Sequence, residues 1–312
     1  MLEPGKTYRL VTRSDFDGLA CAVLLKDLNV IDDIKFVHPK DMQDGNVDVT
    51  DTDITTNLPY VGGVALAFDH HLSETIRNED IPANYIIDPD SPSAARVVYN
   101  YFGGGERFPN ISTAMMEAVD KSDAAQFNKG EVLHPKGWVL LNFLMDARTG
   151  LGRFKEFRVS NYNLMMELID HCKNDSIEQI LQLPDVQERV ELYNEQAEKF
   201  TAQVQQCATV HNNLVVLDLR DETVIYAGNR FLVYALFPEC NISMHVMWGR
   251  AQQNTVFAVG KSIFKRDSQT NIGELMLEYG GGGHANAGTC QVENDTAAQT
   301  MTELVNRITA VG

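Results

Sequence analysis

Asp69-His70-His71 places a carboxylate and two imidazoles directly after the apolar run Val64-Ala65-Leu66-Ala67-Phe68, at the end of a predicted strand. Open parallel sheets hold their ligands in the crevice beyond the carboxyl ends of the strands. A second group stands at the same kind of end: Asp15-Phe16-Asp17-Gly18 follows the strand-like Tyr8-Arg9-Leu10-Val11-Thr12 and the pair Arg13-Ser14. Residues i and i+2 of an extended segment share a face, so Asp15 and Asp17 can serve one site. Carboxylate oxygens suit hard divalent ions and imidazole suits manganese, iron or zinc, so the mixed set favours a transition metal over calcium.

Three weaker groups follow. Val47-Asp48-Val49-Thr50-Asp51-Thr52-Asp53 reads as an acidic strand end, and the alternation of Val47, Val49 and Asp51 leaves open whether Asp51 or Asp53 faces the crevice. Asp120 and Asp123 close a helical run, and Gly280-Gly281-Gly282-Gly283-His284 forms a glycine tract ending in an imidazole. Taken singly, each has a bland explanation: a helix cap and turn for Asp15 to Gly18, a solvated edge for Asp48 to Asp53, a helix end in water for Asp123, a flexible turn for the glycines. Their coexistence in one chain is what gives them weight.

The elements that must position these residues alternate strand and helix in the first third of the chain: Tyr8 to Thr12, a helix from about Gly18 to Leu28, Ile34 to Val37, then Val64 to Phe68. This is the rhythm of βαβ units on a parallel sheet. Helical periods dominate from Ser93 to Cys172, with Pro92-Ser93 as a start signal. Val186, Val190, Tyr193, Ala197, Phe200 and Val204 then trace one amphipathic helix from Pro184 to about Ala208, read as a connector. Leu214 to Leu217, Val224 to Tyr226, Ile242 to Val246 and Thr255 to Val259 are predicted strands, and Ala297 to Ile308 a closing helix. The expected architecture is α/β: a parallel-sheet domain with covering helices over residues 1–185, a helical linker over 186–209, and a smaller α+β domain over 210–312.

A chain of 312 residues is long enough for two such cores. No stretch approaches the roughly 20 apolar residues that span a bilayer, and the N-terminus lacks the order of a signal peptide, so a cytoplasmic protein without a membrane partner is expected. The five cysteines are odd in number and scattered, which speaks against a disulfide framework or a structural zinc site. The formal charge of −17 argues against a protein that tracks long nucleic acid, because affinity for the phosphate backbone comes from Lys and Arg. An anionic substrate must be short and held by metal ions or a few basic side chains.

In this order and spacing the motifs resemble the DHH phosphoesterase superfamily with its appended DHHA1 domain, over nearly the whole chain. Ser14-Asp15-Phe16-Asp17-Gly18 matches the first motif, Asp53 by best fit the second, Asp69-His70-His71 the third, and Asp123 with Phe127 the fourth. Gly280 to His284, with Ala287-Gly288, matches the DHHA1 signature. The resemblance implies two manganese ions bridged by Asp53, one also held by Asp15, the other by Asp17, His70 and Asp123. It implies that Asp69 orients, that His71 contacts the phosphate, and that Gly281, Gly282, Gly283 and His284 meet a terminal phosphate. Lys261-Ser262 stands where relatives carry a substrate-contacting Arg-Ser pair, and Arg230, Arg148, Arg153 and Lys155 are further candidates for an anionic path.

One departure falls in the site. Many members place a metal-binding His two residues before the first Asp, where this chain has Arg13. Arginine has no lone pair to give, so either fewer protein groups hold that ion, or His38 supplies the nitrogen, or Arg13 grips the substrate phosphate. What the resemblance implies for function is a manganese-dependent phosphodiesterase of the oligoribonuclease (nanoRNase) kind, cutting dinucleotides such as pGpG and other very short oligonucleotides to mononucleotides between two domains. It extends to 3′,5′-bisphosphate nucleotides and to a homodimer. The rivals are a pyrophosphatase or exopolyphosphatase on the same first domain, and a nucleotide-binding module without turnover.

Overall fold

The computed structural model describes residues 2–71, 74–75, 80–154 and 157–312. Strand β1 (Tyr8–Arg13) buries Leu10 and Val11 on its two opposite faces, as a strand covered from both sides must. Asp15 then caps helix α1 (Phe16–Asp27) by accepting the Gly18 N–H, and α1 is buried from Phe16 to Leu25. Gly18 has no room for a side chain: a Cβ there would lie 2.0 Å from the Arg13 carbonyl oxygen. The chain continues through β2 (Ile31–Val37), β3 (Asp53–Thr56), β4 (Leu66–Asp69) and β5 (Tyr85–Ile87).

All pairings in this sheet are parallel, in the order β2-β1-β3-β4-β5. The connection from β1 to β2 runs to one side and the strands from β3 onward lie on the other, so the order reverses between β1 and β3. Such a switch point opens a crevice at the carboxyl ends of the two strands. Helices α2 (Ala94–Tyr101), α3 (Thr113–Asp123), α4 (Gly137–Met145) and α5 (Asn161–Asn174) follow, with α1 packed against α2, α3 and α5.

Helix α6 (Pro184–Cys207) is the continuous helix expected there. Two compact units divide within it, the first comprising Met1–Gln126, Pro135–Ala147 and Leu151–Glu191, the second Phe127–His134, Arg148–Gly150 and Leu192–Gly312. In the first unit Arg189 is buried, donating to the Val159 and Asp185 carbonyls and to Asn161 Oδ1. In the second unit Gln196 and Gln203 accept the amides of Ala227 and Tyr226. Those contacts account for one correction: Val224 to Tyr226, expected as a strand, is not one, because the Gln203 side chain takes the Tyr226 N–H and the Val224 carbonyl that a ladder would use.

The second unit holds a six-stranded mixed sheet in the order β10-β11-β9-β8-β7-β6, built from β6 (Ala208–His211), β7 (Leu214–Asp218), β8 (Ile242–Trp248), β9 (Thr255–Lys261), β10 (Gly282–His284) and β11 (Ala287–Val292). Helices α7 (Ile272–Leu277) and α8 (Ala297–Val311) close a core of Leu214, Met244, Phe257, Ile272, Leu304 and Ile308. No helix among the described residues is long and apolar enough to cross a membrane.

Candidate metal centre

Asp17, in the first turn of α1, is 2% exposed, and its two carboxylate oxygens accept the backbone N–H groups of Ala94 (2.9 Å) and Ala95 (2.7 Å). These are orphan donors of the first turn of α2, where Ser93 is the cap. The N-terminal end of a helix favours negative charge, so α2 holds Asp17 in a fixed orientation. His70 follows β4 directly. Its Nδ1 lies 3.2 Å from the Ser91 carbonyl and its Nε2 lies 2.8 Å from Asp123 Oδ2 and 4.0 Å from Asp17 Oδ2. Asp123 ends α3, which is pinned to α2 because Asp120 accepts from Ser93 Oγ (2.7 Å) and Arg96 Nε (2.9 Å). One helix, α2, thus both binds Asp17 and positions the helix that carries Asp123.

Asp17, His70 and Asp123 each offer a ligand atom within 4.8 Å of the others, so the structure brings together residues from three of the motifs. The electrostatics are those of a crowded anion site. Burial and the neighbouring Asp123 and Asp15 push the Asp17 carboxyl up to about 8. Burial would lower the His70 imidazole, but Asp123, Asp17 and Asp69 outweigh it and raise it to about 9. Burial would raise Asp123, yet His70, His71 and Arg13 hold it below the usual carboxylate range. A divalent cation bound here would favour the deprotonated forms of these groups and release their protons. With Nδ1–H given to the Ser91 carbonyl, Nε2 carries the lone pair a metal needs.

Asp69, wholly buried at the end of β4, accepts from the backbone N–H of His70 (2.8 Å) and from Tyr85 Oη (3.0 Å). His71 Nδ1 stands 2.7 Å from the same carboxylate, which raises the imidazole against the lowering effect of burial. Asp69 therefore fixes the His71 ring and its tautomer.

Asp15 is placed differently. Its carboxylate receives Arg13 Nε (2.9 Å), the Gly18 N–H (2.9 Å) and Asn57 Nδ2 (3.1 Å). Asn57 is 1% exposed, follows β3 at its carboxyl end, and has a left-handed backbone with φ of 55°. No donor among the described residues reaches its Oδ1.

The expectation for Asp53 is corrected. Asp53 is the first residue of β3 and pairs with Arg9, whereas the crevice lies past Thr56, roughly 10 Å along the strand. Arg9 Nε (2.7 Å) and Nη2 (2.8 Å) grip both oxygens of Asp53. Asp53 is a structural ion pair and bridges nothing in the crevice, and Asp51 lies in the exposed turn before it. The strand begins at Asp53, where the alternation from Val47 predicts its end. The β-branched run Ile54-Thr55-Thr56 before Asn57-Leu58-Pro59 was the signal that marks the true strand and its turn.

In the second unit the glycine tract is half of a β-hairpin, with β10 antiparallel to β11. A Cβ on Gly281 would lie 2.1 Å from the Thr289 carbonyl oxygen and one on Gly283 would lie 2.3 Å from that of Ala287. Close packing of backbones therefore demands these glycines, whatever else they do. Lys261 Nζ donates to the Ser268 carbonyl (3.2 Å), and Ser262 Oγ accepts the N–H groups of Phe264 (3.2 Å) and Lys265 (3.1 Å). The Arg230 guanidinium lies over the Phe231 ring at 4.1 Å, and His284 closes β10 at an exposed position. His38 Nδ1 accepts the Lys40 N–H (3.1 Å) and caps a short helix. Arg148 and Arg153 end up in different units, and Lys155 lies outside the described residues.

No family model matches the chain, nor does any curated protein. Among solved structures it is similar to PggH, a pGpG-specific phosphodiesterase from Vibrio cholerae, at 61% identity over 98% of this chain and 100% of that one, with a TM-score of 0.86. RecJ from Thermus thermophilus in complex with Mn2+ shares 13% identity over 99% of this chain and 53% of its own, with a TM-score of 0.55. CDC45 from Entamoeba histolytica shares 9% over 97% and 95%, with a TM-score of 0.50. These two likenesses are of fold alone.

Proposed function

The chain belongs to the DHH phosphoesterase superfamily, in the family of PggH, and from that premise we propose that it is a phosphodiesterase that hydrolyses pGpG and other very short oligonucleotides to mononucleotides. The observation that carries this is the convergence of Asp17, His70 and Asp123 within reach of one ion, in a chain 61% identical to a pGpG-specific enzyme over its length. The donor set fits a divalent cation: two carboxylates and an imidazole whose other nitrogen faces a carbonyl. Asp17, His70 and Asp123 would hold it, and manganese is the ion proposed. When bound, such an ion lowers the pKa of water and draws charge from phosphoryl oxygens.

The chain's own residues do the rest. The amides of Ala94 and Ala95 keep Asp17 from rotating, and the Ser91 carbonyl keeps His70 in the tautomer with Nε2 inward. Asp69 holds His71 with Nδ1 occupied, so His71 presents Nε2 to the phosphate as a hydrogen-bond donor when protonated. In the second unit Gly281, Gly282, Gly283, His284, Lys261 and Arg230 are proposed as phosphate-contacting groups, with Ser262 shaping their loop. The same site would accept 3′,5′-bisphosphate nucleotides. The charge of −17 supports short substrates over long nucleic acid, and a cytoplasmic homodimer completes the reading.

The test is turnover of 5′-phosphorylated RNA from dimers to twentymers, with manganese, magnesium or chelator, by wild type and a His70→Ala, Asp123→Ala double variant. Metal-dependent release of mononucleotides, steepest for dimers and absent in the variant, is expected. Turnover of pyrophosphate or polyphosphate alone, or dinucleotide binding without turnover, would overturn it.

A further inference from the structure

We infer that this chain works with one divalent ion, because Arg13 and Asn57 fill the position beside Asp15 that a second ion would need. The inference rests on the phosphodiesterase reading and adds the number of ions to it. Two-metal hydrolysis places its ions about 3.5–4 Å apart, which demands shared ligands with lone pairs on both sides. On the Asp17 side those atoms are present.

On the Asp15 side, N–H donors occupy both carboxylate oxygens. Oδ1 takes the Gly18 N–H at 2.9 Å and Asn57 Nδ2 at 3.1 Å, and Oδ2 takes Arg13 Nε at 2.9 Å and Asn57 Nδ2 at 3.4 Å. A cation there would have to displace the Arg13 guanidinium, which cannot ligate and repels it. Donation by Nδ2 fixes the Asn57 amide, and the remaining Oδ1 is a neutral oxygen. It can add to the coordination of one ion but cannot neutralise and bridge two, as a carboxylate would.

The charges agree with this count. Arg13 and Asp15 cancel as a pair, and the two negative charges of Asp17 and Asp123 match one divalent cation. The Arg13 side chain is 34% exposed with Nε committed to Asp15, so its terminal nitrogens supply a fixed positive fork for a phosphate beside the ion.

The experiment counts manganese per full-length chain by equilibrium dialysis and native mass spectrometry, with the manganese paramagnetic spectrum as an independent reading. Wild type is expected to bind one ion and to show an isolated-ion spectrum. The Arg13→His, Asn57→Asp double variant is expected to bind two and to show the exchange-coupled spectrum of a pair. Arg13→Lys, which keeps the cation, should stay at one. Two ions on wild type would overturn the inference even if the double variant failed to fold, and a folded double variant that still binds one would remove Arg13 and Asn57 as the cause. Dinucleotide turnover followed in parallel separates the claims: one ion without turnover sinks the phosphodiesterase reading alone, whereas turnover with two ions sinks only the single-ion inference.

Discussion

Asp53 and Asp17 are both almost fully buried carboxylates of the same parallel-sheet unit, at 1% and 2% exposure, and they are held in opposite ways. At the amino end of β3, Arg9 grips both oxygens of Asp53 with a guanidinium and Thr50 adds its N–H, so the charge is cancelled where it is made. At the carboxyl ends, Asp17 has two backbone amides and no arginine within the ion pairs of the described residues, while Asp123 and Asp15 crowd it. A buried carboxylate with its cation built in is scaffold. One that is oriented by backbone dipoles and crowded by other carboxylates has the surroundings that suit a cation from outside.

The largest effect that would break this contrast lies on the crowded side. Asp123→Ala should cut dinucleotide turnover by about a thousandfold or more and abolish metal binding in dialysis. Its thermal midpoint without metal should hold or rise, because the substitution relieves repulsion at Asp17; a fall of many degrees would show that the cluster is structural. Asp69→Asn leaves Asp17, His70 and Asp123 in place and loosens His71, so kcat should drop by up to about a hundredfold with metal stoichiometry unchanged. Steady-state kinetics beside metal counting separates these outcomes.

The reciprocal result belongs to the scaffold side. Arg9→Ala should cost about 3 kcal/mol of stability in urea unfolding, by leaving Asp53 buried and unpaired, with kcat for dinucleotide little changed. Loss of metal binding in that variant would mean that the two ends of β3 are not separable.

A pH effect sharpens the same distinction in the second unit, where His245 is an imidazole held neutral. Burial and the adjacent Arg230 lower it to about 4, the reverse of His70 among its carboxylates. The unfolded chain protonates His245 near its ordinary value of 6.5, so between that value and about 4 the unfolded state binds more protons. Stability should therefore be lost as pH falls through this window and level off below it. Denaturation midpoints of wild type and His245→Gln between pH 7 and 4 measure the difference.

Sequence periodicity conveyed much of the scaffold. Alternating strand and helix signals located β1, α1, β2 and β4, and the heptad-like stripe from Val186 to Val204 located α6. Asp17 and His70 were legible from their types at predicted strand ends, and Asp123 only from the resemblance to the DHH motifs, since its residues alone read as a helix end in water. What escaped was geometry that only pairing decides. Asp53 matches a motif by type, but whether a residue opens or closes a strand depends on which neighbour it registers with, and Asp53 lies opposite Arg9 rather than beside Arg13. Asn57 escaped for the converse reason: an amide carries no metal-binding signature, and its part follows from contact with Asp15. The strand in the glycine tract escaped because its steric constraint comes from β11, a partner that local sequence does not reveal.

The left-handed backbone of Asn57 bears on how this site can change over generations. Asparagine and aspartate are the side chains that tolerate that conformation most readily after glycine, and they have nearly the same volume. Exchange between them alters one charge in the crevice while leaving the turn after β3 as it is. The backbone thus permits the exchange without strain, and its cost is electrostatic: a carboxylate in place of the Asn57 amide loses a donor to Asp15 and adds a buried negative charge that only a further cation would offset.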